Sequence, residues 1–353
     1  MRNIKVGGKI IGAKDTCFMI AEAGVNHNCK LSIGKELIKK AAKAGADAIK
    51  FQNYSAEKLV TRKAPRFWKW AGEKKKQGTQ YDSYSLIDDL PKEDYRKMVK
   101  CCKENDILFM STPFDEENAD FLEDLGVQLY KLASCDITNT PFIKYVSRKK
   151  KPIILSTGTS NIAEISEALD AVYSTGNDQV VLLHCTLCYP TLFKDANLRM
   201  METMMKVFPD IPVGLSDHTL GTAVPLAAVA LGAKIIEKHY TINKKLMKSA
   251  DHWLSVDDKE LHEMVTAKDQ ILAAMGIPEK KKVPCEEPAF KYARRSLVAE
   301  KFIPTGARID KTMLAIKRPG TGVSPKYYDV FLGKKALRDI QADSLLEWAD
   351  ITS

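Results

Sequence analysis

The chain has 353 residues, 45% hydrophobic and 28% charged, and its 54 Lys+Arg against 45 Asp+Glu leave a formal net charge of +9. That composition excludes a disordered, collagenous or low-complexity chain, and the length suits one large domain with a small one, or two comparable ones. No stretch approaches the ~20 consecutive apolar residues of a membrane span, and the N-terminus MRNIKVGGKIIGAKD lacks the apolar segment of a secretion signal, so no membrane partner and a cytoplasmic location are expected. The 8 Cys lie far apart, which suits reduced thiols; Cys185 and Cys188 form a lone CxxC with no second pair to complete a zinc site. Lysine runs at 74–76, 149–151 and 280–282 are interspersed with acidic residues, and no nucleic-acid motif or basic stripe is visible. No nucleic-acid partner is expected, and an anionic small substrate fits the charge better.

Taken in chain order, eight short apolar, β-branched runs each end in polar or glycine residues. They are FMIAEAG from Phe18, AIKFQ from Ala48, ILFMSTPF from Ile107, LYKLAS from Leu129, PIILSTG from Pro152, VVLLHCT from Val180, VGLSDHT from Val213 and KIIEKHYT from Lys234. Helical patterns separate them. Residues 32–44 put Ile33, Leu37, Ile38, Ala41 and Ala44 on one face and stop at Gly45, while 161–172 start with a capping Asn161 and Glu164 three residues on. Strand then helix, repeated eight times with runs apolar on both faces, predicts a (β/α)8 TIM barrel over residues 1–275. A doubly wound sheet is the alternative, but its glycine-rich fingerprint is missing after the first run, where EAGVNH stands. Residues 276–288, charged and proline-bearing, read as a linker, and 289–353, rich in turn signals, as a small, mostly β domain.

In a parallel barrel the strand C-termini build the active face. The candidates are therefore the polar residues closing each run: Glu22, Asn26 and His27; Lys50 and Gln52; Ser111 and Thr112; Lys131, Ser134 and Asp136; Ser156 and Thr157; His184, Thr186 and Tyr189; Ser216, Asp217 and His218; Glu237, Lys238 and His239. Hydroxyls with Lys50 and Lys131 suit a phosphate or carboxylate. His218 and His239, from neighbouring strands, suit one divalent metal with open positions; imidazole and oxygen donors fit Mn2+, Zn2+ or Fe2+ alike. Glu22 and Asp251 are placed to move protons or bind sugar hydroxyls. An isolated strand-end His is more often a hydrogen-bonded structural residue, and His184, on an apolar run, fits that description.

EAGVNH, STPF, YKLAS, ILSTG, LHCT, GLSDHT, EKHYT and SADHWLS, in this order, resemble the sialic acid synthase family, which includes legionaminic and pseudaminic acid synthases. The resemblance runs from about residue 20 to about 335. It implies a (β/α)8 barrel followed by an antifreeze-like (SAF) domain, for which RRSL and AIKRPGTG stand. It implies condensation of phosphoenolpyruvate with N-acetylmannosamine and water to N-acetylneuraminic acid and phosphate, with a divalent metal, Mn2+ first and Mg2+ or Co2+ as alternatives. By motif, His218 and His239 resemble the metal ligands and Glu22 the acidic residue beside the reacting centre. Lys50, Thr112, Lys131, Ser134, Ser156 and Ser216 resemble the phosphoenolpyruvate cradle. Gln52, Asp136, Tyr189 and Asp251 resemble sugar-contacting positions. The family pattern also implies a domain-exchanged homodimer in which the SAF domain of one subunit caps the other's barrel, bringing Arg318 and Tyr292 to the site.

Leu187 replaces a polar residue often found after LHCT, Asp136 stands where bacterial members often carry Glu, and residues 53–89, with Trp68 and Trp70, read as a long active-face insertion. The first bears on a hydrogen bond to phosphoenolpyruvate and the second on reach to the acyl-amino group of the acceptor; because the scaffold is shared and the sugar pocket differs, legionaminic or pseudaminic acid synthase, using a 2,4-diacetamido-2,4,6-trideoxyhexose, is the alternative. A Schiff-base aldolase using Lys50 or Lys131, or another phosphoenolpyruvate-condensing synthase, is a more distant one.

Overall fold

The computed structural model describes residues 1–68, 78–87, 90–246 and 251–352. The chain divides into two units, Met1–Gly276 and Ile277–Ser353, each with its own apolar core. Within the stretch expected as a linker, Pro284–Glu286 form a turn of 3-10 helix that runs into a helix at Glu287–Tyr292.

The first unit opens with an antiparallel hairpin, β1 (Ile4–Val6) and β2 (Lys9–Ile11), which the sequence reading does not contain. Eight strands follow: β3 (Phe18–Gly24), β4 (Ala48–Asn53), β5 (Leu108–Pro113), β6 (Tyr130–Leu132), β7 (Ile153–Ser156), β8 (Val180–Cys185), β9 (Val213–Asp217) and β10 (Ile235–His239). Each matches one of the eight apolar runs to within two residues at either end. They pair in parallel in the order β5-β4-β3-β10-β9-β8-β7-β6, and β5 meets β6 without a paired ladder among the described residues. The result is a nearly closed eight-stranded parallel barrel.

The pleat sorts each run between two cores. Along β3, Phe18 and Ile20 pack inside the barrel, while Met19 and Ala21 join the layer between strands and helices. Inside, Met110, Ile154, Val181, Leu183 and Ile235 pack with Ile4, Val6 and Ile11 of the hairpin. The hairpin supplies apolar side chains to the barrel's lower layers, which leaves the polar strand ends to build the site.

The outer helices follow their caps. Helix Leu31–Ala44 stops at Gly45, whose φ of +91° suits a residue without Cβ and lets its N–H reach the Ala41 and Ala42 carbonyls. Helix Ile162–Tyr173 starts with Asn161 Oδ1 accepting from the Ala163 and Glu164 amides, while Glu164 accepts from the Asn161 amide.

The second unit is built on one antiparallel pair, β11 (Ser296–Ala299) and β12 (Leu314–Lys317), with isolated bridges and turns around Leu297, Ile303, Phe331 and Leu346. No helix among the described residues is long and apolar enough to cross a membrane.

Candidate active site

The C-terminal ends of the barrel strands surround a cavity of about 510 Å3. Glu22, Lys50, Gln52, Thr112, Lys131, Ser134, Asp136, Ser156, Tyr189, Ser216, His218, His239 and Asp251 all line it. Tyr292 and Arg318 belong to the second unit and are exposed there. Several other strand-end residues face elsewhere. Asn26 donates to the Tyr240 carbonyl at 2.9 Å, His27 Nδ1 accepts from the Cys29 amide, and His184 bonds the Ala196 carbonyl at 2.8 Å, so these three hold turns. Cys135 sits on a one-turn 3-10 helix, Ser134–Asp136. In the CxxC pair, Cys185 is buried and Cys188 exposed, and both are free thiols.

At the centre lies a group of buried charges. Lys50 Nζ sits 2.8 Å from Glu22 Oε2 and 3.7 Å from Glu237 Oε2, and donates to Thr112 Oγ1 at 3.0 Å. Lys131 Nζ lies 3.9 Å from Glu237 Oε1, which also accepts from Ser216 Oγ at 2.9 Å. Glu237 therefore stands between two lysines carried on β4 and β6. Burial works against charge on every member, and the partners decide the outcome. Burial pushes the Glu22 carboxyl up to about 7, with Lys50 opposing and Glu237 reinforcing. Burial would lower Lys50, but Glu22 and Glu237 outweigh it and hold the ammonium above its ordinary value. Burial leaves Lys131 below its ordinary value, with Glu237 opposing and Lys50 reinforcing. Burial would raise Glu237, yet Lys131 and Lys50 together keep it low and ionised.

Gly24 lets three polar groups converge beside this cluster. Its φ is +51°, and a Cβ there would stand 3.3 Å from Gln52 Nε2, 3.3 Å from Glu22 Oε1 and 3.5 Å from Asp251 Oδ2. Gln52 Nε2 donates to Glu22 Oε1 at 2.9 Å, whereas Glu22 Oε2, beside Lys50, is buried without a hydrogen-bond partner among the described residues. Ser134 Oγ accepts from the Gly158 amide, whereas Ser156 Oγ is buried without a hydrogen-bond partner among the described residues. An unsatisfied buried hydroxyl lining the same cavity as two lysines is suited to a bound anion.

His218 and His239 form the second group, their ring centroids 5.3 Å apart, with the Tyr189 ring 4.2 Å from the first and 5.9 Å from the second. His218 Nδ1 lies 2.8 Å from the Thr186 carbonyl, which can only accept, so Nδ1 carries a proton; burial would lower the ring, but Cys185 and the Thr186 carbonyl outweigh it and raise it to about 8. His239 Nδ1 is buried, has no hydrogen-bond partner among the described residues, and stands 3.7 Å from Asp251 Oδ2. Burial, then His218, pushes His239 well below its ordinary value, so its ring is neutral. Burial also lifts Asp251 to about 6, against His218 and Lys50. Two imidazoles on one cavity wall, one with an unpartnered Nδ1, suit a divalent cation; among the described residues no group of three or more His, Cys, Asp or Glu could hold a metal ion by itself.

The remaining wall comes mainly from the insertion after β4 and is largely apolar, with Lys58, Gln80 and Ser83 among it. Tyr54, Leu59, Val60, Phe67, Trp68, Tyr84 and Ile87 line the cavity together with Val25, Phe114 and Leu187. Tyr54 packs edge-on against Tyr84 at 5.3 Å and Phe114 at 5.9 Å. Trp70 and the rest of 69–77 lie outside the described residues, as do 88–89 and 247–250.

Glu237 is the residue that sequence reasoning noticed without giving it a role. Its signal is the i, i+2 spacing in E-K-H, which puts Glu237 on the same strand face as His239. Asp136, expected among the sugar contacts, accepts from Asn139 Nδ2 at 3.0 Å and lines the cavity.

A NeuB family model matches residues 37–280 and a SAF domain model residues 294–352. The chain is 39% identical over 354 residues to an N,N'-diacetyllegionaminic acid synthase of Legionella pneumophila, covering 99% of each chain. It is 40% identical over 333 residues to the enzyme of that name from Campylobacter jejuni, covering 93% of this chain and 98% of that one. Among solved structures, an N-acetylneuraminic acid (sialic acid) synthetase from Leptospira borgpetersenii superposes with a TM-score of 0.72 at 34% identity, over 81% of this chain and 94% of that one. With the barrel, the lysine and histidine groups and these likenesses together, the chain belongs to the NeuB family of sialic, legionaminic and pseudaminic acid synthases and carries a C-terminal SAF domain.

Proposed function

We propose that the protein condenses phosphoenolpyruvate with the open-chain aldehyde of an N-acylated hexosamine and water, giving a nine-carbon 2-keto-3-deoxy acid and phosphate. The observation that carries this reading is the buried pair Lys50 and Lys131, held about Glu237 on a cavity that the unsatisfied Ser156 hydroxyl also lines. Lys50 and Lys131 would take the phosphate and carboxylate of phosphoenolpyruvate, with Thr112, Ser134, Ser156 and Ser216 donating around them. This cradle fixes the enol so that its methylene carbon faces the aldehyde.

A divalent cation, Mn2+ first and Mg2+ or Co2+ as alternatives, would be held by His218 and His239 and would polarise the aldehyde oxygen. When the methylene carbon bonds to the aldehyde carbon, positive charge develops at C2 of the former enol. Glu22, hydrogen-bonded by Gln52 and paired with Lys50, presents a carboxylate to that charge or takes the proton from the water that adds to C2. The tetrahedral carbon then expels phosphate onto the lysines by cleavage of its C–O bond. Gln52, Asp136, Tyr189 and Asp251 would bind the sugar. Arg318 and Tyr292 join the site in this reading through the second unit of a partner copy in a domain-exchanged dimer.

Two acceptors fit the class, N-acetylmannosamine and 2,4-diacetamido-2,4,6-trideoxymannose. The second is favoured by the apolar wall of Tyr54, Leu59, Trp68, Tyr84 and Leu187, which suits a second acetyl group and a methyl terminus better than hydroxyls. The 39% and 40% identities to legionaminic acid synthases, against 34% to the sialic acid synthetase structure, point the same way. The test is phosphate release from phosphoenolpyruvate with each sugar, with the corresponding altrose isomer, and without sugar, each with and without Mn2+. Release only with the diacetamido sugar supports the full reading, release with N-acetylmannosamine changes the acceptor, and silence with all of them removes the synthase reading.

A further inference from the structure

We propose that Lys238 and Asp217, with Thr219, form a positioning clamp behind the site that sets the spacing of His218 and His239. This inference rests on the reading of those two histidines as metal ligands.

The backbone ladder between β9 and β10 pairs Leu215 with Ile236, Ser216 with Glu237 and Asp217 with Lys238, and then stops. His218 follows the last residue of β9 and His239 is the last residue of β10, one step beyond the ladder, so no ladder bond between β9 and β10 joins them. Where the ladder stops, side chains continue it. Lys238 Nζ meets Asp217 Oδ2 at 2.6 Å and also donates to the Thr219 carbonyl. Asp217 Oδ1 accepts from the Thr219 amide at 3.2 Å and Oδ2 from its hydroxyl at 3.0 Å. Lys238 is completely buried, and Asp217 and Thr219 nearly so. Neither Asp217 nor Lys238 lines the cavity, because the pleat turns them away from the face that carries Ser216, Glu237 and His239.

A buried ion pair is a poor source of stability, since desolvation cancels much of its attraction; its best-attested use is to specify one arrangement. Here it ties the segment on both sides of His218 to the residue preceding His239. Slippage of β9 against β10 would separate the two imidazoles, and the clamp resists it without touching the substrate.

The test titrates Mn2+ alone into the full-chain protein, reading free Mn2+ by electron paramagnetic resonance, for wild type, Lys238→Met, Lys238→Arg and Thr219→Val. Phosphoenolpyruvate affinity of the metal-free proteins is measured alongside. Lys238→Met is expected to weaken Mn2+ binding by about tenfold or more. Thr219→Val, which keeps shape and removes one hydrogen bond, is expected to cost about fivefold. Lys238→Arg recovers most of the loss. Phosphoenolpyruvate affinity should stay within about twofold in all of them. Wild-type Mn2+ affinity in folded Lys238→Met overturns the proposal, as does an equal loss of phosphoenolpyruvate affinity, the mark of general loosening. If Lys238→Met does not fold, Thr219→Val decides by the same criteria. Wild type that binds no Mn2+ removes the metal reading itself. In that case histidine nitrogen spectra of the metal-free proteins judge the clamp: shifted His218 and His239 signals in Thr219→Val sustain it, and unshifted signals overturn it.

Discussion

Lys50 Nζ and Glu22 Oε2 stand 2.8 Å apart with both side chains almost completely withdrawn from solvent. Removing one member of such a pair strands the other. Lys50→Met should destabilise the protein by about 3 kcal/mol and abolish turnover, while Lys50→Met combined with Glu22→Gln should regain much of the stability and none of the activity. Denaturant melts of the single and double variants check this. A double variant no more stable than Lys50→Met would contradict it.

Glu237 holds the two lysines in place before the substrate arrives. Glu237→Gln should lower the melting temperature of the free protein, because Lys50 and Lys131 lose a shared counter-charge. Saturating phosphoenolpyruvate, which brings its own anion, should raise the melting temperature of this variant by more than it raises that of wild type. Equal increments would show that the lysines do not receive the anion.

The carboxyl of Glu22 is raised to about 7 by burial, so it is mostly protonated at pH 6 and mostly ionised at pH 8. If the carboxylate is the working form, kcat/KM should rise about tenfold across that interval. The stability sign runs the other way. A carboxyl raised on folding favours the folded state at acid pH, and that contribution is lost as pH rises through about 7. Glu22→Gln should therefore be inactive and show a weaker fall in melting temperature from pH 6 to pH 8.

Barrel and helix positions should separate by an order that the geometry dictates. Ile154→Ala, inside the barrel, is expected to cost about 3 kcal/mol, and Asn161→Ala, at an exposed helix start, about 1 kcal/mol. Urea titrations of the two variants measure both.

The barrel was legible because its runs are apolar on both faces and end in polar residues, a pattern that helix packing outside and side-chain packing inside impose together. The N-terminal hairpin was not, although Ile4 and Val6 flank Lys5 ahead of the Gly7–Gly8 turn, because three-residue strands carry too little periodicity to stand out and the returning strand KII does not alternate. Chemistry at strand ends was legible as a set, since Lys50, Lys131, His218 and His239 all reach one cavity. What the linear order does not separate is inward from outward. Asp217 and Lys238 read as site residues until the pleat turns them to the back, while Glu237, beside Lys238, faces the lysines. Nor does the linear order show that Tyr54, Trp68 and Tyr84 build one aromatic wall, because they share no helical or strand period although their rings meet.

The most direct measurement uses phosphoenolpyruvate carrying oxygen-18 in its bridging ester oxygen, incubated with Mn2+ and the accepted sugar, with both products weighed by mass spectrometry. Attack by the methylene carbon, water addition and C–O cleavage predict that the phosphate carries the label and that the sugar gains a three-carbon unit free of it. Label retained in the sugar acid, or labelled phosphate without any sugar acid, would contradict the account.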